Sequence, residues 1–331
     1  MCRFGCFCDL HNGILPSSIH NFKETSHDLF HTLRAALPVL AFGALAALGS
    51  TAVAQTAGGT LDKIRSSGKA VLGVREASPP MAYALGANAN YTGYHVELCE
   101  RIIRKLAPQA KLEYFAMTPQ NTMVLVQNGT VDIGCGPATN NLTRQQQVAF
   151  GMTTYLSQVR MAVKADSGIS DWKQLDGKTV AVTTGTTAVQ LLRKLERDAD
   201  IKLTMMQTKD NLESLLAVET GRAAAFVLDD NLLAGVVANS REPKQFKLAG
   251  TSLQSEPIAI LFRKDDPAFK QAVDGELKAM MASGEMAKHY DKWFMQPIPP
   301  RNVALNLPLS DELKALFAKP NDEPIESYNK R

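Results

Sequence analysis

Histidine is scarce in this chain: there are six in 331 residues, and beyond the amino-terminal stretch only His95 and His289 remain. Catalytic triads and histidine-rich zinc sites are therefore poorly supplied. A long lysine or arginine block is also missing, and the formal net charge of +3 is spread thinly. Without several phosphates neutralised in a row, nucleic acid is not the expected partner. No apolar run is long enough to cross a bilayer. The strongest lies within residues 35–48, and its fourteen residues at ~1.5 Å each fall short of the ~30 Å hydrocarbon core. Finally, Gly134-Cys135-Gly136 begins a dinucleotide-like pattern, but Thr139 stands where its third glycine belongs, which argues against a nicotinamide cofactor. No cofactor and no metal are expected.

The amino end instead reads as a targeting segment. His31 and Arg34 precede the apolar run, and Gly49, Ser50 and Thr51 lead to the triplet Ala52-Val53-Ala54 before Gln55. A basic flank, a short apolar stretch and an A-x-A site are the order of a cleavable secretory signal. The expected leader is residues 1–54, cut near Ala54, and the expected location is periplasmic, with no stable membrane anchor. Residues 1–27, with Cys2, Cys6 and Cys8, are read as an over-extended start. Cleavage leaves Cys99 and Cys135, an even pair that in an exported chain points to a disulfide, with two buried thiols as the alternative.

From Ala70 onward, short β-favouring runs alternate with helical patterns, as in βαβ units of a mainly parallel sheet. Strands are expected at residues 70–74, 112–115 and 131–134, with helices at 93–106 and 121–128. A second set repeats the scheme, with strands at 179–183, 203–207 and 223–228 and helices at 188–198 and 211–220. The extended apolar runs 155–164 and 253–263 read as two crossing strands that form a hinge. The expected architecture is thus α/β and two-lobed, each lobe an open, mainly parallel sheet flanked by helices. Lobe 1 is 60–156 with 254–331, and lobe 2 is 157–253, inserted. Helices are expected over 269–294 and near Ser310, and the polar end from Lys319 is expected to be loosely held.

Ligands in such sheets bind at the carboxyl ends of strands, which directs attention to three places. Gly185-Thr186-Thr187 follows a strand and opens a helix, where backbone N–H groups attract an anion; an ordinary N-cap is the alternative. Arg144 could grip a carboxylate with two parallel bonds, or be a solvated surface residue. Asp229 and Asp230 end a strand, where one carboxylate would suit an ammonium group.

Together with Gly73-Val74-Arg75-Glu76, Gln127-Asn128-Gly129-Thr130, Thr139-Asn140-Asn141, Arg263-Lys264-Asp265-Asp266 and Asp291-Lys292-Trp293-Phe294, these motifs resemble the type II periplasmic amino-acid-binding proteins, solute-binding protein family 3. The likeness runs from about Thr60 to Asp322 and is nearest to the glutamate/aspartate branch. It implies a two-lobed clamp that delivers an amino acid to an ABC permease and ATPase complex, works as a monomer and catalyses nothing. Thr139 and Arg144, with Thr186 and Thr187, would bind the α-carboxylate, and Asp229 the α-ammonium. Arg75 matches the residue that holds an acidic side chain, with Thr122, Ala138 and Gly185 as further contacts. The resemblance also implies the Cys99–Cys135 bond.

The pattern departs from the branch around that side chain. Where the branch places another arginine, two serines and a histidine, this sequence has Thr122, Pro119, Pro137 and Asn211. Proline offers no donor, and the drift is toward a neutral polar ligand that Asn211 and Thr122 could hydrogen-bond. Competing readings are a dehydratase of the cyclohexadienyl or arogenate type on the same fold, and a sensor that presents its closed form to a membrane receptor.

Overall fold

The computed structural model describes residues 58–86 and 90–328; the expected leader lies outside them. The chain enters through α1 (Thr60–Ser67), stopped by Gly68 in the left-handed conformation. There follow β1 (Lys69–Arg75), a small antiparallel sheet of β2 (Ala77–Ser78), β3 (Ala82–Leu85) and β4 (Asn90–Thr92), then α2 (Tyr94–Leu106), β5 (Lys111–Met117), α3 (Thr122–Gln127), β6 (Ile133–Thr139), α4 (Leu142–Gln145) and β7 (Val148–Phe150). β8 (Tyr155–Lys164) leads to β9 (Thr179–Thr183), α5 (Ala188–Ala199), β10 (Thr204–Thr208), α6 (Asn211–Glu219), β11 (Ala225–Asp229), α7 (Asp230–Ala238) and β12 (Phe246–Ala249). β13 (Ser255–Arg263) returns the chain to α8 (Pro267–Ala282), α9 (Glu285–Phe294), α10 (Asp311–Ala318) and α11 (Ile325–Tyr328).

One long sheet runs in the order β10-β9-β11-β8-β13-β6-β1-β5, with β12 beside β8 and β7 beside β13. β5, β1 and β6 are mutually parallel, as are β10, β9 and β11. Between these triplets run β8 and β13, antiparallel to each other, with Gln158 opposite Ser255 and Tyr155 opposite Ile258. Each half therefore repeats one plan: a parallel triplet completed by an antiparallel crossover strand. The carboxyl ends of β1, β6, β9 and β11 all supply residues to one slot between the triplets.

The apolar pattern explains the layers. In α2 the three- and four-residue spacing buries Val96, Cys99 and Ile103, and Cys99 forms a disulfide with Cys135 of β6, Cα–Cα 6.0 Å. In the other half, Val159, Met161 and Val163 alternate along β8 and pack with Val180, Val182, Leu192 and Val227. Burying each such side chain contributes roughly 1.5–3 kcal/mol.

Several expectations need correction. β2, β3 and β4 were not foreseen, since Pro79, Pro80 and Gly86 break the alternation. α7 was missed because the Asp229-Asp230 pair was read as a strand end alone. The carboxyl end is tied down rather than loose. The Thr153 N–H donates to the Asn321 carbonyl (2.9 Å), Asn140 Nδ2 to that of Asp322 (2.8 Å), and the Ile325 N–H to that of Asn140 (2.9 Å). Lys270 pairs with Asp322, and Ile325 is buried. Backbone groups and one apolar anchor hold a segment that its polar composition had marked as free.

Candidate functional site

The slot between the two triplets has a cavity of about 30 Å³ lined by Arg75, Thr139, Arg144, Thr186, Thr187, Asn211 and Asp229, with Ser78, Pro119, Pro137, Leu228 and Leu232. A space of this size holds only a few waters at ~10–15 Å³ each, so a larger ligand enters only if the halves part. A wider opening of about 820 Å³ lies over α2, α8 and α9, but it is a surface groove rimmed by charges such as the Arg101–Glu285 pair. Volume therefore does not identify the site; convergence of charge does.

Most of the polar lining side chains stand at or beside element ends. Arg75 closes β1, Thr139 closes β6, Asp229 closes β11, and Asn211 opens α6, whose N-cap is Asp210. Arg144 sits in the single turn of α4, positioned by Asn141, whose Oδ1 accepts the Arg144 N–H at 2.8 Å. Its guanidinium spans the slot: Nη1 donates to the Thr139 carbonyl and Nη2 to the Gly185 carbonyl, both at 3.1 Å. Burial lowers its pKa, opposed by the nearby carboxylates of Glu256 and Asp229.

Arg75 is 5% exposed, and its Nε has no hydrogen-bond partner. Burial, and then repulsion from Arg144, bring it down to about 9, so it is still a cation at neutral pH. It can lie there because residue 136 is glycine: a Cβ on Gly136 would stand 2.8 Å from the Arg75 Cγ. Beside it, Asn211 accepts from the Thr183 hydroxyl (2.7 Å) and donates Nδ2 to Ser78 Oγ (3.2 Å). That leaves the Ser78 hydroxyl proton for another acceptor. This end of the slot is thus a set of donors.

At the other end, Asp229 is buried and accepts from the Ser157 hydroxyl. Burial raises its pKa, against the pull of Ser157 and Arg144. Asp230 turns away, its Oδ1 accepting the N–H groups of Gln158 (3.1 Å) and Asn231 (2.8 Å). Thr186 donates its hydroxyl to the Thr183 carbonyl (2.7 Å). Thr187 precedes α5 without acting as a side-chain N-cap; its hydroxyl goes to Glu256 Oε2 at 2.9 Å.

All seven principal sequence candidates meet in the slot, and three lesser ones do not line it. Thr122 is buried and spends its hydroxyl on the Thr118 carbonyl (2.7 Å). Ala138, one residue before Thr139 on β6, faces the opposite side and packs near Val148 and Leu261. Gly185, at φ 84°, packs its backbone on the chain opposite: a Cβ there would meet Gln120 Cα at 2.6 Å. His95 and His289 are buried elsewhere, bonded to Gly136, Thr154 and Tyr94. Among the described residues no group of three or more His, Cys, Asp or Glu could hold a metal ion.

Two residues escaped the sequence reading. Ser78 lies in the unforeseen β2. Glu256 is fully buried on β13, and its Oε2 accepts from Thr139 (2.5 Å) as well as Thr187, one threonine from each triplet. Burial, and then Asp229, push it up to about 7. A signal was present: an acidic residue inside an apolar strand is seldom fully buried unless it is paired.

Donors around Arg75 at one end, Arg144 beside the carboxylates of Asp229 and Glu256 at the other, and an opening between halves of an α/β sheet define a two-lobed type II binding-protein fold with a charged cleft. The ArgBP mutant of T. maritima has this fold, superposing with a TM-score of 0.65 at 26% identity over 72% of this chain and all of that one. The profile of the bacterial extracellular solute-binding proteins, family 3, matches residues 70–296, and the chain belongs to that family. It is 40% identical over 278 residues to the glutamate/aspartate import solute-binding protein of Escherichia coli K12, covering 82% of this chain and 91% of the relative. It is equally identical, over 286 residues, to the L-glutamate/L-aspartate-binding protein of Pseudomonas aeruginosa, covering 85% and 95%.

Proposed function

We propose that this protein is the extracytoplasmic solute-binding component of an ABC importer, closing on one polar amino acid and delivering it, unchanged, to a permease and ATPase complex. Lobe 1 is residues 60–156 with 254–331, and lobe 2 is 157–253. The observation that carries the reading is the polarity of the slot: Arg144 and Asp229 lie at one end, and the unpartnered Arg75 at the other. A zwitterion leaving water needs both charges paired at once. Arg144 with the threonines suits an α-carboxylate, and Asp229 an α-ammonium. Each charge-assisted bond contributes roughly 1.5–3 kcal/mol, so a handful reach the ~8 kcal/mol of micromolar binding after association costs.

The side chain of the ligand meets Arg75, Ser78 and Asn211, all able to donate. A carboxylate or an amide oxygen satisfies them, in keeping with the printed names of the 40%-identical relatives. Among the described residues lining that end of the slot Arg75 is the one cation, flanked by Pro119 and Pro137, and so glutamate is preferred while glutamine is tolerated. Export rests on the expected signal sequence; among the described residues no helix is long and apolar enough to cross a membrane. Calorimetric titration of the mature protein, stripped of carried-over ligand, with each amino acid tests the reading. Micromolar or tighter binding of glutamate, with weaker binding of glutamine, is expected. Indifference to every amino acid would overturn the function, and indifference to glutamine alone would overturn the relaxed selectivity.

A further inference from the structure

The hydroxyl protons of Thr139 and Thr187 are both committed to Glu256 Oε2. A hydroxyl carries a single proton, and an ionised carboxylate can only accept. While Glu256 is charged, these hydroxyls turn lone pairs toward the cleft, beside the Arg144 guanidinium that would attract a ligand carboxylate. An ionised Glu256 thus sets the two threonines against the group they would have to bind.

We propose that Glu256 is a positioning residue that decides whether Thr139 or Thr187 can meet the ligand as a donor, and that it takes up a proton when an amino-acid carboxylate enters the cleft. The inference rests on the ligand reading above. The proton comes from solvent and attaches to a Glu256 carboxylate oxygen; no other bond forms or breaks. The neutral acid donates to one threonine hydroxyl, freeing that hydroxyl's own proton for the ligand.

Burial and Asp229 favour uptake, while Arg144 and the two threonine bonds oppose it. Arg144 on α4 is the cation facing this carboxylate, and Asp229 on β11, with Asp230 behind it, faces it as an anion. Thr139 of β6, Thr187 before α5 and Gln254, whose Nε2 donates to Oε1 at 3.3 Å, complete the shell. Burial and Asp229 already hold Glu256 near neutrality, and a ligand carboxylate adds a second negative charge against it.

The test is titration of the intact, ligand-stripped protein with L-glutamate at pH 8 in buffers of different ionisation heat, which counts protons per ligand. Up to one proton is expected to enter, with affinity weakening toward about tenfold per pH unit above the free-state pKa of about 7. Glu256→Gln, a neutral isostere, is expected to bind glutamate with no uptake and a flat pH profile. Should that variant not fold, Thr187→Val removes one bond to the ionised form and is expected to reduce the uptake at pH 8. Glutamate binding without proton exchange in the wild type, or with unchanged exchange in the variants, overturns the role of Glu256 alone. Absence of binding by any amino acid overturns the ligand reading and this inference with it.

Discussion

Arg144 reaches from α4 to the carbonyl of Gly185, 3.1 Å away on the far side of the slot. The same guanidinium holds the Thr139 carbonyl on its own side, so one planar fork ties together the two strand ends that frame the cavity. Lysine cannot reproduce this, because a single ammonium lacks the fork. Arg144→Lys is expected to weaken amino-acid binding by about 2 kcal/mol or more, some thirtyfold in Kd by calorimetry. An affinity within twofold of wild type would contradict the assignment.

Asp229→Asn keeps a group for Ser157 to bond and removes only the charge. The ligand ammonium then loses its counter-ion in a buried setting, and binding is expected to fall by about 3 kcal/mol, more than a hundredfold in Kd. Thermal stability without ligand should change little or rise, since burial already disfavours the ionised form.

Gly136→Ala probes the floor under Arg75. The added methyl would stand 2.8 Å from Cγ and 3.0 Å from Nε of that side chain, so the guanidinium must move. The expected result is a narrower gap between glutamate and glutamine affinities, with the α-amino-acid end intact. Competition binding with both ligands reads this directly.

His95 gives the fold a pH dependence of known sign. Burial depresses its pKa to about 4, partly opposed by the bond to the Gly136 carbonyl. The unfolded chain then binds a proton that the native state refuses, so stability is lost as pH falls from about 6.5 toward about 4. The loss is on the order of a few kcal/mol. Glu256 and Asp230, held up at about 7 and about 6, act with the opposite sign over the same range. Urea melts at pH 7 and pH 5 are therefore compared between wild type and His95→Gln, and the variant should be the less weakened, or the more strengthened, by the drop in pH.

Reducing the Cys99–Cys135 bond, which closes a segment of 36 residues, is expected to cost about 2–4 kcal/mol. Denaturant midpoints with and without reductant measure the cost.

What the sequence disclosed follows from periodicity and from charge at strand ends. β8, β9 and β13 were legible because apolar and β-branched residues dominate or alternate along them, and β9 runs over the same residues as expected, Thr179–Thr183. Asp229 was legible as an acid ending a strand, whereas Arg144 taken alone also read as a solvated surface residue, and Arg75 came from the resemblance to the family. Ser78 was hidden by the prolines after it, which obscured a two-residue strand. Glu256 did leave a signal, an acid inside an otherwise apolar run, but nothing in that run says which residues distant in sequence it meets. Ala138 and Gly185 stood next to residues of the site, and adjacency along a chain does not decide which way a side chain points; Thr122 was expected from the family's pattern, and its hydroxyl is taken by the Thr118 carbonyl.

The lacing of residues 321–328 onto Asn140 and Thr153 has a practical bearing on any recombinant form of this protein. Asn140 adjoins Thr139, so a purification handle fused directly after Asp322, or a shortened gene ending there, would pull on one wall of the cleft. Handles are better placed ahead of Thr60, or after Tyr328 behind a spacer.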